Sequence, residues 1–299
     1  MGVYDKNFYN ESSAANLGWE PKWFGAETFN DDLLTKVKEF QEKSDLEVDG
    51  LVGPITFRRI YTEIEAKLEL VQQMTMTPEN HILCNNKTVP LPWDKFVGLR
   101  DPNSLALPPS SYRQWTHEPR QPTLIVTHWD AALSAKSCHK ILQRRKLSTH
   151  FAIDNDGTIY QMVDTNNVAW HASGANDHSI GIDFSNAYYT KYQKVYRKRG
   201  LGNRPLLTSK VHGRNLGEHL GYYPQQLEAY KALVKTLCDH YEIPLECPTT
   251  KKGALVTGVH SATAKGKFQG VVCHYHLSAR KIDCAGLELD VLLEQIKTN

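Results

Sequence analysis

Leu124-Ile125-Val126-Thr127-His128 is followed, after a gap, by Phe151-Ala152-Ile153-Asp154-Asn155-Asp156-Gly157-Thr158-Ile159-Tyr160. These two stretches decide the fold class. Leu124 to Val126 is a short apolar, β-branched run, which reads as a buried strand. Phe151–Ile153 and Thr158–Tyr160 flank Asp154-Asn155-Asp156-Gly157, a turn signal that joins them as a hairpin. Ser179-Ile180-Gly181-Ile182-Asp183-Phe184 reads as a further strand. Leu227, Tyr230, Leu233, Val234, Leu237 and Tyr241 recur at helical spacing, and Leu287 to Ile296 reads as a closing helix. Strands alternating with helices predict an α/β domain with a mixed central β-sheet flanked by helices.

Upstream the pattern changes. Phe29 to Met76 reads as helical, interrupted by Leu46-Glu47-Val48-Asp49-Gly50-Leu51-Val52-Gly53-Pro54. Leu33, Leu34, Val37 and Phe40 lie on one helical face, with Asp31 and Asp32 as candidate caps. Asp49-Gly50 is a turn signal, and Pro54 suits the first turn of the next helix. Ile60, Ile64, Leu68 and Val71 continue at helical spacing. This predicts a small three-helix domain over 27–80, preceded by an extension, 1–26. Residues 81–112 are rich in proline and read as a linker, leaving 113–299 for the α/β domain.

Composition excludes several classes. The 299 residues are 40% hydrophobic and 23% charged, which is ordinary globular usage. No apolar run approaches the ~18 residues that span a bilayer, so membrane insertion is not expected. Residues 1–20 are polar and carry no signal-peptide pattern, which predicts synthesis in the cytoplasm without a leader. A net charge of +2 gives no reason to invoke nucleic acid. Between Ser185 and Arg214, however, stand eight basic residues and no acidic one, interleaved with Tyr188, Tyr189, Tyr192 and Tyr196. This segment reads as either a solvated loop or a contact for an anionic polymer. Six scattered cysteines without a CxxC pair predict free thiols.

Several of the thirteen histidines sit where a strand should end. His128 closes the Leu124 strand, and His150 opens the next one. His171 lies in Ala169-Trp170-His171-Ala172. His274 and His276 are followed within ten residues by Lys281, Asp283 and Cys284. A catalytic zinc takes three protein ligands of His, carboxylate or Cys type and keeps one position open. The residue types for such a site are present, although a single histidine serves equally well as a hydrogen-bonded structural residue.

Two resemblances sharpen this reading. Phe40-Gln41, Leu46, Val48-Asp49-Gly50, Val52-Gly53-Pro54 and Thr56 resemble the three-helix peptidoglycan-binding module over about residues 27–75. That resemblance implies wall binding, with Phe40, Gln41, Asp49, Gly50 and Gly53 in the anchor module. The same glycines and Asp49 also build the turn between helices. Residues 123–296 resemble the zinc-dependent N-acetylmuramoyl-L-alanine amidases, which share the peptidoglycan-recognition-protein fold. The matching blocks are Ile125–His128, Leu147–Gln161, Ala169–Ala172, Ser179–Asp183, His274–Ser278 and Arg280–Asp283, in family order.

The second resemblance implies hydrolysis of the amide between N-acetylmuramic acid and the L-alanine of the stem peptide. It assigns Zn2+ to His128, His274 and Asp283, with His276 and Cys284 as rival ligands. Asp183 stands where many members carry a catalytic glutamate, and it becomes the candidate general base. Lys281 becomes the candidate oxyanion stabiliser. His150, Trp170, His171 and Asn186 are expected to bind substrate or line its groove. An amidase with its own wall anchor and no leader resembles a phage endolysin, acting as a monomer on bacterial wall peptidoglycan. A non-catalytic recognition protein, an autolysin and a muropeptide-recycling amidase are the alternatives.

Overall fold

The computed structural model describes residues 3–75, 80–116 and 118–298. The chain divides into two compact units, Met1–Thr77 and Pro78–Asn299.

The first unit holds α1 (Val3–Leu17), α2 (Asp31–Lys43) and α3 (Pro54–Thr75), with a short 3-10 turn at Pro21–Phe24. The expected helix end at Met76 lies outside the described residues. Asn30, rather than Asp31 or Asp32, caps α2 by accepting from the Leu33 amide at 3.1 Å. The two aspartates occupy the first turn instead, where they complement the helix dipole. Ala14, Trp19, Ala26, Leu33, Val37 and Val52 form the core. The stretch 1–26, expected as an extension, therefore contributes Ala14, Trp19 and Ala26 to this core. Among the described residues two α-helices lie within 27–80, and α1 is the third.

Gln41 is the polar centre of the unit and is 1% exposed. Its Nε2 lies 2.8 Å from Asp49 Oδ1, 3.0 Å from Leu51 O and 3.2 Å from Thr56 Oγ1. Its Oε1 accepts from the Gly50 amide at 2.8 Å. Gly50 has φ +79°, a left-handed value that glycine adopts without strain. From α1, Asn10 accepts the Val52 amide and donates to Gly50 O. The motif around Asp49-Gly50 thus ties all three helices to one turn.

The second unit contains β1 (Asn80–Cys84), β2 (Lys87–Leu91), β3 (Phe96–Val97), β4 (Tyr112–Arg113), β5 (Leu124–Trp129), α4 (Ala135–Arg145), β6 (Phe151–Ile153), β7 (Ile159–Gln161), β8 (Val168–Ala169) and β9 (Ser179–Phe184). Then follow α5 (Gln193–Lys198), β10 (Leu206–Val211), β11 (Arg214–Leu220), α6 (Pro224–Tyr241), α7 (Ser261–Ala264), β12 (Gly270–Cys273) and α8 (Leu289–Thr298). The central sheet has the order β12-β5-β9-β6-β7-β3. Its neighbours β12, β5, β9 and β6 run parallel, and the β6–β7 hairpin is antiparallel, so the sheet is mixed. Ile125, Ile180, Ile182, Phe184 and Val271 from the sheet pack with Tyr230, Leu233, Val234 and Leu237 of α6 and with Leu289, Leu292 and Leu293 of α8.

Residues 81–112, expected as a linker, are built into this unit. β1 and β2 form an antiparallel hairpin, and Ile82, Cys84 and Leu91 enter the main core. Gln161 of β7 locks the hairpin by accepting from the Leu83 amide at 2.8 Å and donating to its carbonyl at 2.7 Å. β3 pairs in parallel with β7 at the sheet edge.

The basic segment divides by role. Lys191, Lys194, Arg197, Lys198, Arg199, Lys210 and Arg214 are exposed, whereas Arg204 is 2% exposed. Its guanidinium donates to Gly221 O and to Asn155 Oδ1, each at 2.6 Å, and stacks between Tyr196 and Tyr223.

Candidate functional site

Three neighbouring parallel strands end on the same side of the sheet, and their carboxyl ends are where polar side chains collect. His128 and Asp183 face one another in register across β5 and β9. His274 follows β12 directly, in a 3-10 turn that spans His274–His276. Asp283 lies on the next loop, which is tied back where the Tyr275 amide donates to Asp283 O at 3.0 Å. Loops at the carboxyl ends of α/β strands are free to carry polar groups because the layered core lies beneath them.

His128 Nδ1 lies 3.0 Å from His274 Nδ1 and 3.0 Å from Asp283 Oδ2. His274 Nδ1 lies 2.9 Å from Asp283 Oδ2, closing a triangle. Among the described residues these three form a cluster able to hold a metal ion. A tetrahedral ion bonded at about 2.0–2.1 Å separates its donors by about 3.3 Å, a few tenths more than these spacings. Two imidazoles and one carboxylate leave a fourth position open, so the donor set fits a catalytic zinc.

The electrostatics of Asp283 and His274 agree with a cation site, whereas at His128 burial opposes charge but the hydrogen bond with Asp283 and the nearby carboxylates outweigh it and push the imidazole up. Burial works against charge on Asp283, but hydrogen bonds with His128 and His274 outweigh it and hold the carboxylate well below its usual range. Burial pushes the His274 imidazole below its usual value, towards the neutral form that ligates metals. Burial pushes Asp183 upward, as suits a carboxylate that takes up a proton.

A cleft of about 290 Å³ opens over the cluster. His128, Trp129, Trp170, Asp183, Lys281 and Arg145 are among its lining residues. Lys281 is exposed, and its carbonyl accepts from His212 Nε2 at 2.8 Å, which fixes the backbone beside Asp283.

Not every expected site residue reaches the cleft. His276 is fully buried, with Nε2 on Val256 O and Nδ1 accepting the Cys273 amide. Cys284 is also fully buried, and its Sγ contacts Cys273 Sγ at 3.0 Å. Neither rival ligand joins the His128 cluster, because each points into the protein core. His150 is fully buried: its Nδ1 accepts the Gly181 amide and its Nε2 donates to Asn167 O. Burial pushes it down to about 3, so it stays neutral and has no free nitrogen for substrate. Asn186 is fully buried and spends its amide nitrogen on Leu220 O and Gly221 O. Both were expected to bind substrate, and both instead hold the scaffold. Trp170 and His171 do line the cleft.

Residue reading alone does not find Asp130 and Arg145, which both line the cleft. Asp130 is half-buried at the cleft wall and accepts from the Ala132 and Asn186 amides and from Ser185 Oγ. A strand-end aspartate directly after His128-Trp129 is the one signal that marks it. Arg145 stands in a run of basic residues and carries no local signal at all.

A family model described as N-acetylmuramoyl-L-alanine amidase matches residues 118–283. No curated protein matches the sequence. Among solved structures the chain is similar to a selenomethionine derivative of AmpD, at 17% identity, with 66% of this chain and 95% of that one covered and a TM-score of 0.37. It is similar to the N-acetylmuramoyl-L-alanine amidase LysC from Clostridium intestinale URNW, at 20% identity, 62% and 91% coverage and a TM-score of 0.34. It is also similar to the Ph2119 endolysin of a Thermus scotoductus bacteriophage, at 16% identity, 64% and 97% coverage and a TM-score of 0.34.

Proposed function

The chain belongs to the N-acetylmuramoyl-L-alanine amidase family, and on that premise we propose a zinc-assisted peptidoglycan hydrolase with Asp183 as its proton carrier. The enzyme cleaves the amide between N-acetylmuramic acid and the L-alanine of the stem peptide. The observation that carries the mechanism is the triangle of His128 Nδ1, His274 Nδ1 and Asp283 Oδ2, with sides of 2.9–3.0 Å, under an open cleft. These three residues would hold the zinc. When bound, zinc supplies a Lewis acid at the scissile carbonyl and makes water acidic enough to ionise near neutral pH.

The remaining work falls to the chain's own side chains. Asp183, in register with His128, accepts the proton of the attacking water on a carboxylate oxygen. It then passes that proton to the departing alanine nitrogen. Lys281 presents an ammonium group to the carbonyl oxygen as negative charge develops there. Trp170 gives the cleft an apolar wall against which the glycan or peptide is held.

The biological reading is wall lysis of the endolysin type, with the Met1–Thr77 unit as the anchor. Support comes from the Gln41, Asp49 and Gly50 motif of that unit together with the family of the other. A single chain supplies all three donors, so the site needs no partner subunit, which supports reading the protein as a monomer that acts at the wall. No helix among the described residues is long and apolar enough to cross a membrane.

Digestion of purified sacculi followed by mass spectrometry tests the reaction. The expected products are stem peptides with a free L-alanine amine and glycan strands with free lactyl carboxylates. Cuts confined to the glycan or within the peptide would overturn it. Elemental analysis should find close to one zinc per chain, and His128→Ala should remove it.

A further inference from the structure

We propose that Cys273 and Cys284 are a disulfide site, oxidised by a soluble disulfide of the glutathione type once the chain is outside a reducing cytoplasm. Both are free thiols in this structure, and their sulfurs lie 3.0 Å apart. Non-bonded carbon atoms rest about 3.5–4.0 Å apart, and sulfur is the larger atom, so the two thiols are in tight contact. A disulfide bond is about 2.05 Å long, so the sulfurs need to close by about 1 Å.

Two elements bring the pair together. Cys273 ends β12, in register with Thr127 of β5. Cys284 reaches the same residue from the loop, with its Sγ 3.5 Å from Thr127 O. Beside the pair, the Tyr275 amide donates to Asp283 O at 3.0 Å and ties the two stretches backbone to backbone. Both cysteines are fully buried in the main core, which also holds Val271, Tyr275, Ala285 and Leu287. A disulfide carries no charge and no donor that needs a partner, so this apolar setting accepts it.

The exchange balances in two steps. One cysteine sulfur attacks a sulfur of the oxidant, releases one small thiol and leaves a mixed disulfide. The other cysteine sulfur attacks that mixed disulfide at the protein sulfur and releases the second small thiol. The oxidant's S–S bond breaks and the protein's forms. The two cysteine sulfurs give up two electrons to the oxidant, and their two protons end on the two released thiols. Because both sulfurs are buried in the closed fold, exchange takes place while the 274–283 loop is undocked, and docking sets the sulfurs in contact. The bond closes a loop between positions 11 apart, and His274, Lys281 and Asp283 all lie on it. Its formation does not depend on the metal.

Two readouts on the full chain test this. Protein is held with excess oxidised glutathione just below its melting point, the remaining thiols are blocked, and trypsin is applied without reduction. Arg280 and Lys281 lie between the two cysteines, so trypsin places them on separate peptides, 268–280 and 282–297. Mass spectrometry should find these two peptides joined, and reduction should part them. The second readout is the melting point of the unit that carries the pair. The oxidised protein should melt roughly 5–10 °C above the reduced one, and Cys284→Ser should show no difference between the two treatments.

Peptides 268–280 and 282–297 recovered separately would overturn the proposal. So would a bond from either cysteine to Cys247, which is half-buried against the same core. A redox-dependent melting shift that persists in Cys284→Ser would assign the effect to another pair. If Cys284→Ser does not fold, Cys273→Ser takes its place in the melting arm, and the peptide map of the wild-type chain decides by itself.

Discussion

Asp183 is 8% exposed and His128 4%, yet both meet the cleft, and each is useful through the one face left uncovered. Removing the charge at Asp183 separates proton transfer from metal binding. Asp183→Asn should lower kcat by roughly 10²- to 10⁴-fold, the range typical of a positioned acid or base, while zinc content stays at the wild-type level. Asp283→Ala should lose the zinc itself, and Cys284→Ser should keep it, as read by elemental analysis beside turnover of a soluble muropeptide. The meeting of His128, His274 and Asp283 was legible in the sequence because the blocks that carry them follow the order of the family it resembles. The second tier of histidines was not. His150, His171 and His276 are the same residue type in similar strand-end settings. What separates them is the partner of each ring nitrogen, such as Val256 O for His276 or Ser179 Oγ for His171. Those partners are distant in the chain or set by a turn, so no local pattern encodes them.

At the level of elements, pattern and turn chemistry identified four of the six central strands, β5, β6, β7 and β9, and α6 closely, whereas β12 and β3 went unread. The 81–112 stretch misled for a physical reason. Proline cannot donate to a ladder, which argues against a central strand but permits an edge position. Pro90 sits in such a place, opposite His81 in a hairpin of two strands. α1 was missed because its surface is largely polar, and its attachment rests on Asn10 and Ala14 rather than on an apolar stripe. The motif of the first unit is a folding device in the first instance. Gln41→Leu would strand the Gly50 amide and the Leu51 carbonyl without partners, at about 1–3 kcal/mol for each buried group. The first unit should then melt earlier in a calorimetric scan, and hydrolysis of small muropeptides should be unchanged.

Across the whole molecule the division at Thr77 and Pro78 tells where the chain can be cut. A chain starting at residue 78 should keep its zinc and cleave small muropeptides, while clearing intact sacculi less well for want of a tether on the same polymer. A chain starting at residue 92 should fare worse than one starting at 78. It lacks Ile82 and Leu91, both essentially buried in the main core, which together contribute about 3–6 kcal/mol. Chemical denaturation of the two chains, beside turnover on a soluble substrate, checks this. Equal stability would mean that the β1–β2 hairpin is dispensable. Buried Arg120 has a comparable long-range part within this unit, joining the loops at Thr165 and Asn176 through their carbonyls.

The distance along the chain between the proposed ligands has a temporal consequence. His128 and Asp283 are 155 positions apart. At a synthesis rate of roughly 5–20 residues per second, a ribosome needs about 8–30 s to travel from one codon to the other. During that interval the nascent chain owns one donor, and His274 joins only nine positions before Asp283. No amino-terminal fragment released early, whether by premature termination or by proteolysis, can assemble the three-donor site. A cell that makes this wall-cutting enzyme is exposed to the proposed chemistry only once Asp283 has been translated.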